Sequence, residues 1–379
     1  MFNGAKLKET RMVYGYSRKQ LAEQLKITEQ AIGQYENGII QPKFNILVKL
    51  NDIFGVSRKY FFSEANYQVL NIENQIAFRN SDRFQRSKVE FEKYYLSELH
   101  HYLTIFSKKV SLFLNHLSDI KELVVEDFAN HTDDQIEKIA LKVRKKLKLS
   151  ENRHLLTILE QNGVIVLEKN FLNKTDACSV WINKVPYIIL SSEQKSFVRR
   201  NFDLAHELGH LILHANREIN QLEKKEFDLL EAQANLFASH FLLPREEFLK
   251  DLQEIKGHIS NPDAYISLKQ KWKVSIAVLA YRAFKENEMT YQQFRYFNIS
   301  LNKKNYKTIE PLDLDFTIIR PLRLKKMFEF IFENQLVNLN TFLDTHGLRV
   351  KNLAIKFNME EEFFRKYLER DNVVLDFKF

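Results

Sequence analysis

The sequence is poor in the residues that make disulfides, tight turns and membrane spans. Its single cysteine, Cys178, excludes an intrachain disulfide and a zinc site built from cysteines. Nine glycines and six prolines in 379 residues make about 4% of the chain, against about 12% in ordinary proteins. No stretch approaches ~18 uninterrupted apolar residues, and the start lacks the apolar core of a signal peptide. We therefore expect a mainly helical protein, located in the cytoplasm, in which histidine and carboxylate hold any metal.

Positive charge is concentrated at the start of the chain. The formal net charge is +8, and residues 1–62 contain ten Lys or Arg against five Asp or Glu. The hydrophobic content of 45% is ample for several packed cores. The sequence therefore indicates a multidomain protein whose basic bias is local.

Helix caps and apolar spacing divide the chain into four predicted regions. We expect a five-helix domain over 1–62, a helical connector over 63–130, a mixed α+β domain over 131–250 and a helical region over 251–379. The third region has a strand signal at Val164–Leu167 and Tyr187–Leu190, which predicts a small sheet. Tyr187–Leu190 is interpreted either as an edge strand that pairs with a substrate or as core packing.

Residues 17–38 have the pattern of a helix-turn-helix. In SRKQLAEQLKITEQAIGQYENG, Ser17 and Thr28 stand at the expected N-caps, and the turn falls at Lys26–Ile27. Gln30 and Gln34 share the outward face of the second helix with Glu29, and glutamine pairs bidentately with adenine, so we predict both glutamines as base readers. The residues placed for phosphate contacts are Arg18, Lys19, Thr28, Asn37 and Lys43.

Residues 6–56 resemble the XRE family, the Cro and phage-repressor type of helix-turn-helix. The resemblance runs through LKETR, SRKQLAEQLKIT, AIGQYENG, Pro42 and LNDIFGVS, and it implies binding to double-stranded DNA. Lys26 departs from the turn glycine frequent in the family, and a left-handed lysine there would cost ~1 kcal/mol. Arg18 stands where the family often has glutamine. The alternative is a helical module that binds protein.

A second motif, His206-Glu207-Leu208-Gly209-His210, lies in the apolar helix pattern of VRRNFDLAHELGHLILHA. Spacing of four puts His206 and His210 on one helical face, so both imidazoles can bind one ion, with Glu207 placed to reach its bound water as general base. The alternative is a pair of packed or solvated histidines. His214 is excluded as a ligand of the same ion, since eight helical residues separate it from His206 by ~12 Å.

The third ligand is expected on the next helix, KEFDLLEAQANLFASHFLL. Glu231 falls beside its apolar stripe, where a carboxylate is costly unless it is paired, and a divalent cation is a suitable partner. Glu226 and Asp228 compete but point further from the stripe. Asn235, one turn beyond Glu231, is expected to orient a ligand or to line the cleft.

Residues 130–245 resemble the ImmA/IrrE family of metallopeptidases through DACSVWINKVPYIILSS, RRNFDLAHELGHLILH and EAQANLFASHFLLP. The resemblance implies a zincin-like fold, zinc held by His206, His210 and Glu231, and Glu207 as general base. It also implies a substrate, since family members cleave helix-turn-helix repressors. KQKWKVSIAVLAYRA (269–283) resembles the segment that follows the peptidase core, and we interpret 264–300 as a second helix-turn-helix-like unit with a structural or docking role.

We thus predict a transcriptional regulator with a zinc-dependent endopeptidase domain that cleaves a repressor or partner protein. One alternative is an inactive peptidase-like sensor or dimer platform, and another is the antitoxin of a toxin–antitoxin pair. Mn²⁺ is an alternative to Zn²⁺ because two histidines and a carboxylate accept several ions. Operator symmetry suggests a homodimer. His214, Tyr187 and Asn235 remain open as donors to the oxyanion.

Overall fold

The computed structural model describes residues 1–64, 67–72, 77–78, 86–110, 122, 132–169, 177–192, 195–215 and 222–368. Much of the predicted connector, at 111–121 and 123–131, and the end of the chain, at 369–379, lie outside these described residues. Helices dominate the described part, as the composition predicts, with one small sheet. Among the described helices, none is both long and apolar enough to cross a bilayer.

The chain folds into two compact units. The first unit contains Met1–Asn71, Gln85–Leu112 and Leu324–Phe379, and the second contains Ile72–Phe84 and Phe113–Arg323. The chain thus returns to the first unit after completing the second. The finer boundaries expected at 62, 130 and 250 stay predictions.

All the regular elements described in the first unit are helices. Ser17 and Thr28 cap their helices as predicted, through bonds from the N–H of Gln20 and Ala31. A 3₁₀ turn over Tyr60–Phe62 completes the expected five-helix domain. The helices of this unit are α1 (Gly4–Val13), α2 (Arg18–Leu25), α3 (Glu29–Glu36), α4 (Phe44–Phe54), α5 (Arg86–Ser107), α14 (Arg323–Glu333), α15 (Leu339–His346), α16 (Val350–Phe357) and α17 (Glu361–Arg365).

The second unit surrounds a four-stranded sheet with helices, as the α+β prediction requires. Its strands are β1 (Ala77–Phe78), β2 (Ile165–Lys169), β3 (Ala177–Ile182) and β4 (Val185–Ser191). Its helices are α6 (Asp133–Lys146), α7 (Leu155–Gln161), α8 (Phe197–Leu213), α9 (Lys224–Leu242), α10 (Arg245–Leu252), α11 (Ile266–Trp272), α12 (Ile276–Lys285) and α13 (Tyr291–Lys303).

The edge-strand interpretation of Tyr187–Leu190 is wrong. The strand order is β1-β3-β4-β2, so β4 is central and pairs on both sides, parallel to β2 and antiparallel to β3. All seven residues of β4 are buried, in keeping with a central strand. Of the interpretations offered for this strand, core packing is the one that holds.

A left-handed residue joins the helices at three helix-turn-helix connections. Lys26 has φ 57° between α2 and α3, Lys273 has φ 53° between α11 and α12, and Asn358 has φ 49° between α16 and α17. Lys26 therefore has the left-handed conformation in which lysine, instead of glycine, costs ~1 kcal/mol. Around the first and third turns the sequences also correspond, with buried Leu21 and Leu353 on equivalent sites. The third connection had no recognised motif.

Within the first unit, the end of α4 lies against the segment that precedes α16. Val56 forms a β-bridge with Leu348, and Gly55 accepts a backbone bond from Arg349 at 2.9 Å. Gly55 has φ +60°, and a Cβ there would lie 2.7 Å from the backbone nitrogen of Asn352. This position therefore excludes a side chain both by conformation and by space.

We predict that Gly55→Ala lowers the free energy of unfolding by about 2–4 kcal/mol, because it adds overpacking to left-handed strain. Gly38→Ala is the matched control, since Gly38 also has positive φ but no atom near its missing Cβ; its cost should be about 1 kcal/mol. Urea unfolding of both variants measures the difference. Equal destabilisation would show that the close approach at Gly55 contributes nothing.

Candidate functional site

The His-Glu-x-x-His motif lies in the middle of α8, on a buried helix. His206 and Glu207 have no exposed surface and His210 is 4% exposed. The two imidazole rings lie one turn apart in an edge-to-face arrangement, with centroids separated by 4.8 Å, as the spacing of four requires. Because such polar groups are costly to bury, their partners decide what the helix can do.

Gly209 explains how a second helix approaches this motif. A Cβ at Gly209 would lie 3.1 Å from the ring of Phe237 and 3.3 Å from the carbonyl of Ala234, both on α9. The missing side chain therefore lets α9 pack closely on α8. This close packing brings the polar residues of α9 to the two histidines.

Glu231 of α9 completes a convergent set of ligand atoms. Its Oε1 lies 3.1 Å from Nε2 of His210, its Oε2 lies 3.4 Å from Nε2 of His206, and the two Nε2 atoms are 3.0 Å apart. Neighbouring ligands on a tetrahedral ion with ~2 Å bonds are separated by about 3.3 Å. The three side chains therefore fit a zinc ion, and they are the residues that sequence reasoning selected.

The electrostatics of Glu231 agree with a cation-binding role. Burial alone would raise the pKa of this carboxyl, but its contacts with His206 and His210 lower the pKa to about 2. Glu231 is therefore an anion at neutral pH, and it is 15% exposed at its side chain. Glu226 and Asp228 are both exposed, and Glu226 instead caps the start of α9.

Glu207 is held from the sheet side of the site. Its Oε2 accepts a hydrogen bond of 2.6 Å from the hydroxyl of Ser179 on β3. Ser179 is buried, so bulk solvent does not compete for this bond, which fixes the orientation of the carboxylate. Sequence reasoning missed Ser179, because nothing local marks a serine whose partner lies 28 residues away on another element.

Each metal-facing histidine has a partner on its other nitrogen. Nδ1 of His206 lies 3.0 Å from Oδ1 of Asn235, in agreement with the orienting role expected for Asn235. Nδ1 of His210 lies 2.9 Å from Nδ1 of His214, whose Nε2 lies 3.0 Å from Oε1 of Gln233. Burial, together with a smaller effect of the neighbouring His210, lowers the pKa of His214 to about 3. Gln233 was also missed by sequence reasoning.

The structure shows the surroundings of the three residues that the sequence offered as oxyanion donors, namely His214, Asn235 and Tyr187. His214 and Asn235 both lie against the Nδ1 atoms of the histidines. Tyr187 is fully buried, and burial raises the pKa of its hydroxyl. No role in stabilising an oxyanion is assigned to any of the three.

The helix-turn-helix presents the predicted polar face of α3. Glu29 and Gln30 are exposed and Gln34 is half-buried, while Ile32 and Tyr35 are buried. The other predicted contacts that are exposed are Lys19, Thr28, Asn37 and Lys43.

Arg18 has a structural partner in addition to its predicted phosphate contact. Its Nε donates to Oε2 of Glu36 at 2.7 Å, and Arg11 donates to Oε1 of the same buried carboxylate at 2.5 Å. Glu36 thus ties α1 and α2 to the end of α3. The side chain of Arg18 remains 40% exposed, so it can still face a phosphate.

Comparison with known families identifies both parts of the chain. The helix-turn-helix family model matches residues 7–61, and the model of the IrrE N-terminal-like domain matches residues 159–284. The chain therefore joins an XRE-type helix-turn-helix domain to an IrrE/ImmA-like domain.

Two curated relatives are similar to a short part of the chain. The SPbeta prophage-derived uncharacterized HTH-type transcriptional regulator YonR of Bacillus subtilis is 38% identical over 65 residues, which cover 17% of this chain and 60% of that protein. The HTH-type transcriptional regulator ImmR of Bacillus subtilis is 34% identical over 61 residues, which cover 16% of this chain and 48% of that protein. The match thus spans about half of each relative.

We predict that the purified chain loaded with zinc retains about one ion per chain, as a three-ligand site implies. His206→Ala and Glu231→Ala should each lower the content to below about 0.1, because two remaining ligands do not hold the ion. His258→Ala removes an exposed histidine outside the site and serves as the control. Metal content is measured by mass spectrometry after dialysis. Equal zinc in all four proteins would rule out this site.

Proposed function

We propose that the chain is a DNA-binding transcriptional regulator whose second unit is a zinc-dependent endopeptidase that cleaves a repressor or other partner protein. The observation that carries this proposal is the convergence of His206, His210 and Glu231 beside the buried Glu207. An inactive platform would have no use for a buried carboxylate next to three ligands, and burial makes that carboxylate costly.

Glu207 acts as the proton carrier in the proposed reaction. The chemistry that zinc supplies in such a site is Lewis-acid activation of water and of the scissile carbonyl. Glu207 accepts the proton of the attacking water and returns it to the leaving amine, so that the elements of water add across the peptide bond. The hydroxyl of Ser179, which donates to Oε2, keeps the carboxylate in place for both transfers.

We propose that the substrate backbone binds along the edge of β3. β4 is central, so an extended peptide cannot add to it. On the other side of β3, the described pairing with β1 involves only Cys178 and Ser179. Because Ser179 contacts Glu207, a peptide that pairs along Val180–Ile182 would run close to the general base.

Glu207→Gln should slow cleavage by at least about 100-fold, because the amide cannot accept the proton. The test incubates zinc-loaded wild type and variant with a helix-turn-helix repressor as candidate substrate, and follows the fragments by mass spectrometry. Zinc content must be equal in the two proteins, which separates loss of the base from loss of the metal.

Cleavage at equal rates would remove Glu207 from the mechanism. If the zinc-loaded wild type leaves the repressor intact, the proposed substrate class is wrong. Sequencing of the fragments would identify the scissile bond.

We also propose that the first unit binds double-stranded DNA. The exposed polar face of α3, led by Gln30 and Gln34, suits the major groove, and Lys19 and Lys43 suit the flanking phosphates. Two copies of the chain would read half-sites separated by about 10 base pairs or a multiple of it. A homodimer on a palindromic operator is therefore part of the proposal.

Two substitutions separate base reading from phosphate binding. Gln30→Ala should relax the preference at one base position by about 1–3 kcal/mol, whereas Lys19→Ala should weaken all sites and reduce the salt slope by about 1. Gln24→Ala on the exposed face of α2 is the control. Sites selected from random DNA by the wild type serve as probes for fluorescence anisotropy. A Gln30→Ala protein with unchanged preference would contradict the assignment.

A further inference from the structure

His214 lies directly behind one of the two metal-facing histidines. It follows the last residue of α8, and only 3% of it is exposed. Its Nδ1 is 2.9 Å from Nδ1 of His210, and its Nε2 is 3.0 Å from Oε1 of Gln233 on α9. The proposed zinc chemistry requires only the far nitrogen of His210, so the contacts of His214 need their own explanation.

The hydrogen-bond chain admits one arrangement of protons when His210 binds a metal. A neutral His210 that binds through Nε2 carries its proton on Nδ1, so that Nδ1 must donate. Nδ1 of His214 must then accept, and the proton of His214 therefore lies on Nε2. The amide oxygen of Gln233 accepts that proton. In this series from His210 through His214 to Gln233, each donor then faces an acceptor.

We propose that His214, anchored by Gln233, is a positioning residue that sets the tautomer and ring orientation of His210 and so prepares the metal site. This inference rests on the proposed zinc site. The two metal-facing histidines are then held differently, since His206 contacts an exposed asparagine and His210 contacts a buried imidazole. A partner on the second nitrogen raises the basicity of a ligand and holds its ring for binding.

Leucine and asparagine have nearly the same shape. Substituting each of them for His214 therefore distinguishes a role in hydrogen bonding to His210 from simple packing. His214→Asn keeps an acceptor near the place of Nδ1, whereas His214→Leu removes it. We expect the affinity for zinc to fall by about 10–100-fold in His214→Leu and by less than about threefold in His214→Asn. Gln233→Leu should show an intermediate loss, because His214 keeps its place but loses its anchor.

The readout is the dissociation constant of zinc, measured by competition with a fluorescent chelator on the full chain. His258→Leu is the control for loss of an exposed histidine, and its affinity should equal that of the wild type. Equal losses in His214→Asn and His214→Leu would mean that His214 only fills space, which would overturn the inference. An unchanged affinity in both variants would also overturn it, although the zinc site itself would stand.

A second readout reports the protons directly. In zinc-loaded protein labelled with ¹⁵N-histidine, the ring signals of His214 should show a proton on Nε2 and none on Nδ1. A proton on Nδ1 of His214 would overturn the inference even if the affinities change as expected. A wild-type chain that binds no zinc would overturn both this inference and the proposed peptidase, and it is recognised before any variant is compared.

Discussion

The second unit depends on the partners of four polar side chains buried in the second half of α8 and at the residue that follows it. His206, Glu207, His210 and His214 each have at most 4% of their surface exposed. Without partners, each would cost several kcal/mol, which is comparable with the whole stability of a domain. α9 contributes Glu231, Gln233 and Asn235 as partners, and β3 contributes Ser179. The contacts that stabilise the buried polar groups are therefore also the contacts that position the candidate site residues.

The first unit meets a similar constraint with a single carboxylate. Glu36 is fully buried at its side chain and binds Arg11 and Arg18 at once, which joins three helices. A buried ion pair adds little net stability, but removal of one partner leaves a costly charge. This network fixes the angle between α2 and α3, and hence the surface that faces a groove.

Local patterns in the sequence were enough to predict the residues that carry the site. The spacing of His206 and His210 follows from helix geometry, and Glu231 was found because a carboxylate beside an apolar stripe needs a partner. The mainly helical multidomain architecture followed equally from low glycine and proline content and from capped helices.

Contacts between distant segments could not be predicted in the same way. Strand order depends on pairing between segments, so the sequence left both an edge strand and core packing open for Tyr187–Leu190, which is central, and β3 was not identified as a strand. Ser179 and Gln233 are ordinary polar residues in sequence, and only the packing of β3 and α9 on α8 gives them a role. The turn at Asn358 was also missed, although the sequence before it corresponds to the sequence before Lys26.

The three helix-turn-helix connections differ in what lies at the start of their second helix. At α12, Glu310 accepts from the N–H of Ile276 at 2.9 Å and of Ala277 at 3.3 Å, and the buried Lys269 holds it there. A carboxylate thus already occupies the place that a phosphate would take at this helix start.

The start of α17 is equally unsuited to a phosphate, because Glu360, Glu361 and Glu362 surround it with negative charge. The start of α3 is capped by Thr28. Two lysines of the same domain, Lys19 and Lys43, are exposed. One backbone arrangement therefore occurs three times, and only at the second is the helix start occupied by a carboxylate from a later segment, Glu310. The first has one acidic residue in its opening turn, Glu29, against Glu361 and Glu362 at the third. The structural role of 264–300 stays a prediction, and in the structure the helix start within this segment binds Glu310 of the same unit.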